Sequence, residues 1–196
     1  MAVDINAKQI GSYHLADNPE LYEIQRSNNF EFIVTDIDNI LRAGADGTED
    51  SDYIVNAQNT LRFSVTSTSI PMFTQEVIQI RRGNSVIKAA GAPTFSEGSL
   101  VINDYIGADG KSVLMAWQNL SYNVKTERVG NMKDYKKLCY LQEFTPDYKL
   151  VRTWELYGCW VAGLSEDNFD MDNTGKKTIS ATISFDKAYM VMPDEA

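Results

Sequence analysis

Apolar and polar positions alternate along most of this chain, and a period of two predicts strands rather than helices. Phe30, Phe32 and Val34 alternate with Glu31, Ile33 and Thr35, which predicts a half-buried strand within 29–38. Leu61, Phe63 and Val65 alternate with Arg62, Ser64 and Thr66 and predict a second. Residues 39–59 between them are rich in Gly and Asp and read as an inserted, exposed loop. Segments 75–81 and 85–90 flank Arg82-Gly83-Asn84, where Gly and Asn tolerate the positive φ of a tight turn, so a hairpin is expected over 75–90. A further strand is expected around 99–105. Asp109 then stands where it can cap the one good helix. Its Val113, Leu114, Trp117 and Leu120 recur at three- and four-residue spacing and make a single buried stripe. Three strands complete the pattern: 135–144, 150–164 with Trp154, Tyr157 and Trp160, and 178–189. In the last, Ile179, Ala181, Ile183 and Phe185 point one way, and Thr178, Ser180, Thr182 and Ser184 the other. The prediction is a mainly β domain over 29–196 with one packed helix, preceded by an N-terminal arm, 1–28.

Composition narrows the functional classes. A chain of 196 residues with 43% hydrophobic and 23% charged residues can bury a core of its own. Acidic residues outnumber basic ones by 27 to 18, a net charge of −9. Holding nucleic acid by its phosphates needs clustered Lys and Arg, so ordinary nucleic-acid binding is disfavoured. An acidic surface that stays near DNA without adsorbing it is compatible with this charge. The first twenty residues show no apolar h-region, and the reading expects a chain made in a cytoplasm, with no membrane span. Cys139 and Cys159 lie in apolar segments with no zinc spacing and read as buried free thiols.

The inventory of reactive groups argues against an enzyme. His14 is the one histidine, in a polar arm, and no nucleophile, zinc or phosphate-loop motif is present. Asp36 and Asp38 share a face at a strand end and read as solvated. Asp170-Met171-Asp172-Asn173-Thr174-Gly175 begins like a calcium loop, but its twelfth position is Ala181 and Lys176 and Lys177 add positive charge. An Asx turn is the better reading. Lys133-Asp134-Tyr135-Lys136-Lys137 is a small basic island, read as a solvated strand entry or a salt-bridging patch. No catalytic, cofactor or metal residue is assigned. The hairpin is the more informative segment. Its arms carry Val77, Ile78, Ile80, Val86 and Ile87 around the tip Arg81-Arg82-Gly83-Asn84. An isolated hairpin is marginal in water, so this one calls for a partner surface, its own domain or another chain.

Several short motifs in order carry a resemblance. Ser69-Ile70-Pro71 closes the first strand pair, and the long hairpin ends at Ala90-Gly91. Phe95 precedes a strand, Trp117 sits in the helix, and Tyr135-Lys136-Lys137 opens a strand. Glu155-Leu156-Tyr157-Gly158-Cys159-Trp160 and an alternating strand to Tyr189 follow. Over about 29–189 this order resembles the tail tube proteins of contractile-tailed bacteriophages, which share a scaffold with type VI secretion tube subunits. The resemblance implies a β-barrel or sandwich-like tail tube fold with a long protruding hairpin. It also implies hexameric rings whose strands join around a channel. Ring stacking would then fall to Val77, Ile78, Ile80, Arg81, Arg82, Gly83, Asn84, Val86 and Ile87. The partners implied are further copies of the chain, a tail sheath protein, a tape-measure protein and a baseplate. DNA would pass without specific binding, in a virion assembled in a host cytoplasm. Ser180, Thr182 and Ser184 could line the channel or face outward. The 39–59 loop, where relatives have a short turn, and Val161, where they often have Pro, depart from the pattern. Three rivals stand beside this reading: a tail-completion or secreted tube ring, a monomeric ligand-binding barrel with Trp117, Trp154 and Trp160 around a pocket, and a carboxylate-based hydrolase that has only the abundance of Asp and Glu in its favour.

Overall fold

In a computed structural model of the chain, residues 24–38, 56–107, 109–172 and 174–191 are described. The organising element is β9 (Leu150–Glu166), seventeen residues of strand whose two halves serve two different sheets. Its first half pairs on one side with β8 (Lys137–Phe144) and on the other with β11 (Lys187–Val191). β8 in turn pairs with β1 (Phe30–Val34). The second half of β9 pairs with β10 (Thr178–Ser184), β10 with β5 (Gly98–Asn103), and β5 with β2 (Val65–Thr68). Every one of these pairings is antiparallel.

Gly158 marks the change of sheet. Its φ of +70° is the left-handed region that an L side chain adopts only at a cost. A Cβ there would collide with the carboxylate of Asp186, which lies between β10 and β11. The strand predicted over 178–189 is therefore two strands, broken at Phe185-Asp186, where the Asp186 N–H donates to the Tyr157 carbonyl at 2.9 Å. The alternation itself is as predicted: Ile179, Ala181, Ile183 and Phe185 are buried while Ser180 and Thr182 are exposed.

Between the two sheets lies one core. Phe32, Val34, Leu141, Leu156 and Cys159 enter it from the first sheet, and Leu100, Ile102, Ile179 and Ile183 from the second. The predicted helix is α2 (Gly110–Ser121), and the Asp109 carboxylate caps it by accepting from the Ser112 N–H at 2.9 Å. Val113, Leu114 and Trp117 are buried, and the Trp117 indole N–H donates to the Tyr135 carbonyl at 2.8 Å. Both thiols are buried, and burial pushes the Cys139 thiol well above its usual range.

Two further helices correct the sequence reading. Residues 57–64 form α1 (Ala57–Ser64), not loop and strand. Its buried residues, Ala57, Leu61 and Ser64, fall at spacings of four and three, while Phe63, which the alternation placed with Leu61, is exposed. Asp38 is not simply solvated, because its carboxylate accepts from the Gln58 N–H at 2.9 Å at the start of α1. Residues 39–55 of the predicted loop, and His14, lie outside the described residues. A single turn, α3 (Met132–Tyr135), precedes β8. A small ribbon, β6 (Tyr122–Asn123) with β7 (Arg128–Val129), follows α2.

Candidate assembly surface

The hairpin is built by β3 (Phe73–Arg82) and β4 (Ser85–Phe95), which pair with each other and with no other strand among the described residues. Gly83 has φ +59° while Asn84 stays at negative φ, so the two-residue loop is of the II′ kind with glycine at its first position. The Ser85 hydroxyl closes it by donating to the Arg82 carbonyl at 2.9 Å. Phe73 faces Phe95 at 5.7 Å between ring centroids, and Phe95 meets the core residue Phe185 at 5.8 Å. That stack roots the base. Gly91 lies at a bulge on β4, where a Cβ would stand 2.9 Å from the Glu76 carbonyl oxygen.

Register sorts the arms into two unlike faces. Ile80 pairs with Ile87 and Ile78 with Ala89, so these four side chains share one face. The other face mixes Val77, Gln79 and Arg81 with Ala90, Lys88 and Val86. All of β3 is exposed, and Val77, Ile78, Ile80, Val86 and Ile87 keep 47–56% of their surface in water. Among the described residues, then, nothing covers the hairpin's apolar face. A charge contrast accompanies it: residues 73–95 hold Arg81, Arg82 and Lys88 against Glu76, a net +2, so the rest of the chain carries −11. Taking the net charge segment by segment would have exposed this contrast.

The second sheet adds open edges. Among the described residues β2 pairs only with β5, and residues 161–166 of β9 pair only with β10, so there both outer edges of this four-stranded sheet present unpaired backbone groups. Beyond β2 no further strand lies among the described residues. A groove of about 630 Å³ opens there toward β1, lined by residues that include Phe30, Val65, Thr66, Ser67, Ile70 and Leu141. The hairpin is a direct extension of the β2–β5 ribbon, since the Ser69 N–H still donates to the Ser99 carbonyl at 3.1 Å.

The remaining candidates resolve into structural roles. Trp117 is core, Trp154 donates its indole N–H to Glu143 at 3.0 Å, and Trp160 meets Tyr135 edge-on at 5.7 Å; none of them lines the groove. Asp170 accepts from the Asp172 N–H at 3.0 Å in an Asx turn. Lys136 pairs with Asp186 at 2.8 Å within the chain, and burial pulls the Lys137 ammonium below its usual range. At the far end of the second sheet, Glu166 receives Lys111 at 2.6 Å and Lys177 at 3.0 Å, which holds its carboxyl below the usual range. Among the described residues no group of three His, Cys, Asp or Glu side chains could hold a metal ion, and no helix is long and apolar enough to cross a membrane.

Comparison with known proteins agrees with the resemblance read from the sequence. No family model matches the chain. It is 24% identical over 127 residues to the tail tube protein gp19 of Enterobacteria phage T4, covering 63% of this chain and 78% of that protein; the phage T6 protein matches to the same extent. Among solved structures, a chain of the PVC sheath-tube complex, an extracellular contractile injection system in its extended state, superposes with a TM-score of 0.62. The identity is 15%, over 95% of this chain and 98% of that one. The tube terminating cap of the anti-feeding prophage gives a TM-score of 0.60 at 13% identity, over 86% and 91%. The fold is that of tail tube subunits.

Proposed function

We propose that this chain is the structural subunit of a contractile-tail tube, with no enzymatic role, and that six copies close a ring around a bore for DNA delivery. The observation that carries this reading is the second sheet, which among the described residues is open at both ends and antiparallel at every step. Because it holds four strands, β2 and β9 run in opposite directions. A copy rotated about an axis along the strands therefore sets its β2 antiparallel to the neighbour's β9. Each joint satisfies edge groups that otherwise face water, at about 1 kcal/mol net per hydrogen bond. Such a contact is head-to-tail, and it repeats until the ring closes.

Stacking then falls to the hairpin. It continues the β2–β5 ribbon along the strand direction, so every copy projects one hairpin from the same rim of the ring. Its Ile78, Ile80, Ile87 and Ala89 face gains cover on the next ring, and its positive tip meets a surface of net negative charge. The relatives support the wider setting: those of phages T4 and T6 are named as tail tube proteins, and the PVC chain is part of a sheath-tube complex. On this reading sheath and baseplate proteins are the chain's partners, with a tape-measure protein during assembly, and the virion is its place.

Negative-stain microscopy of the purified chain tests the assignment and should show rings and tubes that lengthen with concentration. A compact monomer at every concentration, measured by sedimentation, would remove it. Similarity to a terminating cap favours a second reading, a ring that ends a tube; single rings that never stack would select it.

A further inference from the structure

We infer that the outward face of β2–β5–β10–β9 is the wall of the bore and that it is a charge-free, hydroxyl surface over which a polyanion such as DNA slides; this rests on the ring reading above. Cross-strand register lays out the face. Ser165 lies beside Ser180, Ser180 beside Val101 and Val101 beside Ser67, while Thr182 has Ser99 on one side and Gly163 on the other. Ser67, Ser99, Ser165, Ser180 and Thr182 are all exposed. No charged side chain stands in these rows, in a chain of which 23% is charged. Charge resumes at the strand ends, where Glu166, Lys177 and Asp104 pair with one another and Glu166 also takes Lys111.

Geometry decides which way the face points. The opposite face of the same sheet carries Leu100, Ile102, Ile179, Ala181 and Ile183 into the core, and behind them lie α2 and the first sheet. Six four-stranded sheets at the usual strand spacing enclose a barrel roughly 37 Å across between backbones, before strand tilt widens it. The core, helices and outer sheet of six 22.0 kDa chains cannot be housed inside that circle and must surround it. What remains to face inward is the hydroxyl face.

The chemistry fits a conduit and not a binding site. DNA is retained where cations replace its counterions, and these rows offer none. Hydroxyls keep the wall wetted, and a wall without carboxylates does not raise the electrostatic cost of bringing a polyanion into a narrow passage. The excess of acid that the composition shows is carried elsewhere in the chain.

Single cysteines at Ser180 and Thr182, against one at the exposed turn residue Lys125, separate this inference from the assembly reading. The native thiols are buried and contribute little background. In assembled tubes a small maleimide should label positions 180 and 182, while a maleimide coupled to a globular protein wider than the bore should label only position 125. Dispersed subunits should accept both reagents everywhere. Intact tubes in which the wide reagent reaches 180 and 182 would put this face outside and overturn the inference while leaving the tube. Exclusion of both reagents would bury it between subunits and overturn it equally. Failure to form any tube would sink the assembly reading and the inference with it. Ser180→Lys combined with Thr182→Lys should convert tubes from passing linear DNA freely to retaining it at low salt and releasing it at high salt. Wild-type tubes that retain DNA as strongly would refute the charge-free wall.

Discussion

Replacing Ile78 and Ile80 with Asp puts the stacking role of the hairpin to a quantitative test. Fully burying an isoleucine side chain stabilises by about 1.5–3 kcal/mol. In the free subunit each of these two is about half exposed, so docking has about 1 kcal/mol per side chain left to gain. Losing both costs about 2 kcal/mol, roughly 30-fold in the association constant of one hairpin. With the proposed six copies per ring, six hairpins would engage together at a junction and the joint loss would reach about 12 kcal/mol. Each introduced carboxylate adds several kcal/mol of desolvation wherever the partner surface covers it. Tubes should therefore fail while rings or subunits remain. The same side chains already stand in water, so the melting temperature of the dispersed subunit should hardly move. Tube lengths by negative stain and subunit melting by circular dichroism read the two halves of this expectation. Ile78→Thr with Ile80→Thr, uncharged and compatible with a strand, should shorten tubes less. Tubes of normal length from the Asp variant would refute the stacking role. A large fall in subunit melting temperature would show that the hairpin packs on its own domain.

Two further outcomes probe the frame that holds this surface. Gly158→Ala forces a side chain into the left-handed region, at about 1–2 kcal/mol, and into the Asp186 carboxylate; melting should drop, and Asp186→Ala in the same background should recover the collision but not the backbone cost. Glu166 has a folded-state pKa held down by Lys111 and Lys177, so its contribution is present above the unfolded value and lost as pH falls through the folded one; the melting advantage of wild type over Glu166→Gln should be largest near neutrality and vanish in acid, and an advantage that persists there would contradict the pairing.

Much of the fold was legible because strands with one buried face write their period directly into the sequence. The alternation from Thr178 onward, the cap at Asp109 and the stripe Val113, Leu114, Trp117 each correspond to observed burial and bonding. Residues 57–64 misled because three apolar residues in a short run satisfy a period of two as readily as a helical one, and the deciding helical positions, Ala57 and Ser64, are small. The break at Phe185-Asp186 has no local signal; it is imposed by Gly158 on the neighbouring strand. The hairpin could be located from its turn residues and apolar arms, but its division into an apolar and a mixed face required the register, which a bulge at Gly91 resets. The uncharged wall was half visible in Ser180 and Thr182. Its other half comes from β2, β5 and β9, strands distant in sequence that pairing alone brings alongside.

The even strand number of the second sheet has an evolutionary corollary. Had one strand been lost or gained, every joint in the ring would have met its neighbour in the parallel sense, with a different hydrogen-bond pattern at each seam. In the proposed ring, insertion into this sheet keeps antiparallel seams only in whole ribbons of two, whereas the peripheral sheet, where β1 and β11 each have one strand neighbour among the described residues, can take single strands without touching a seam. Lineages that diversify by decorating the rim of this architecture, and not its wall, would be obeying that arithmetic.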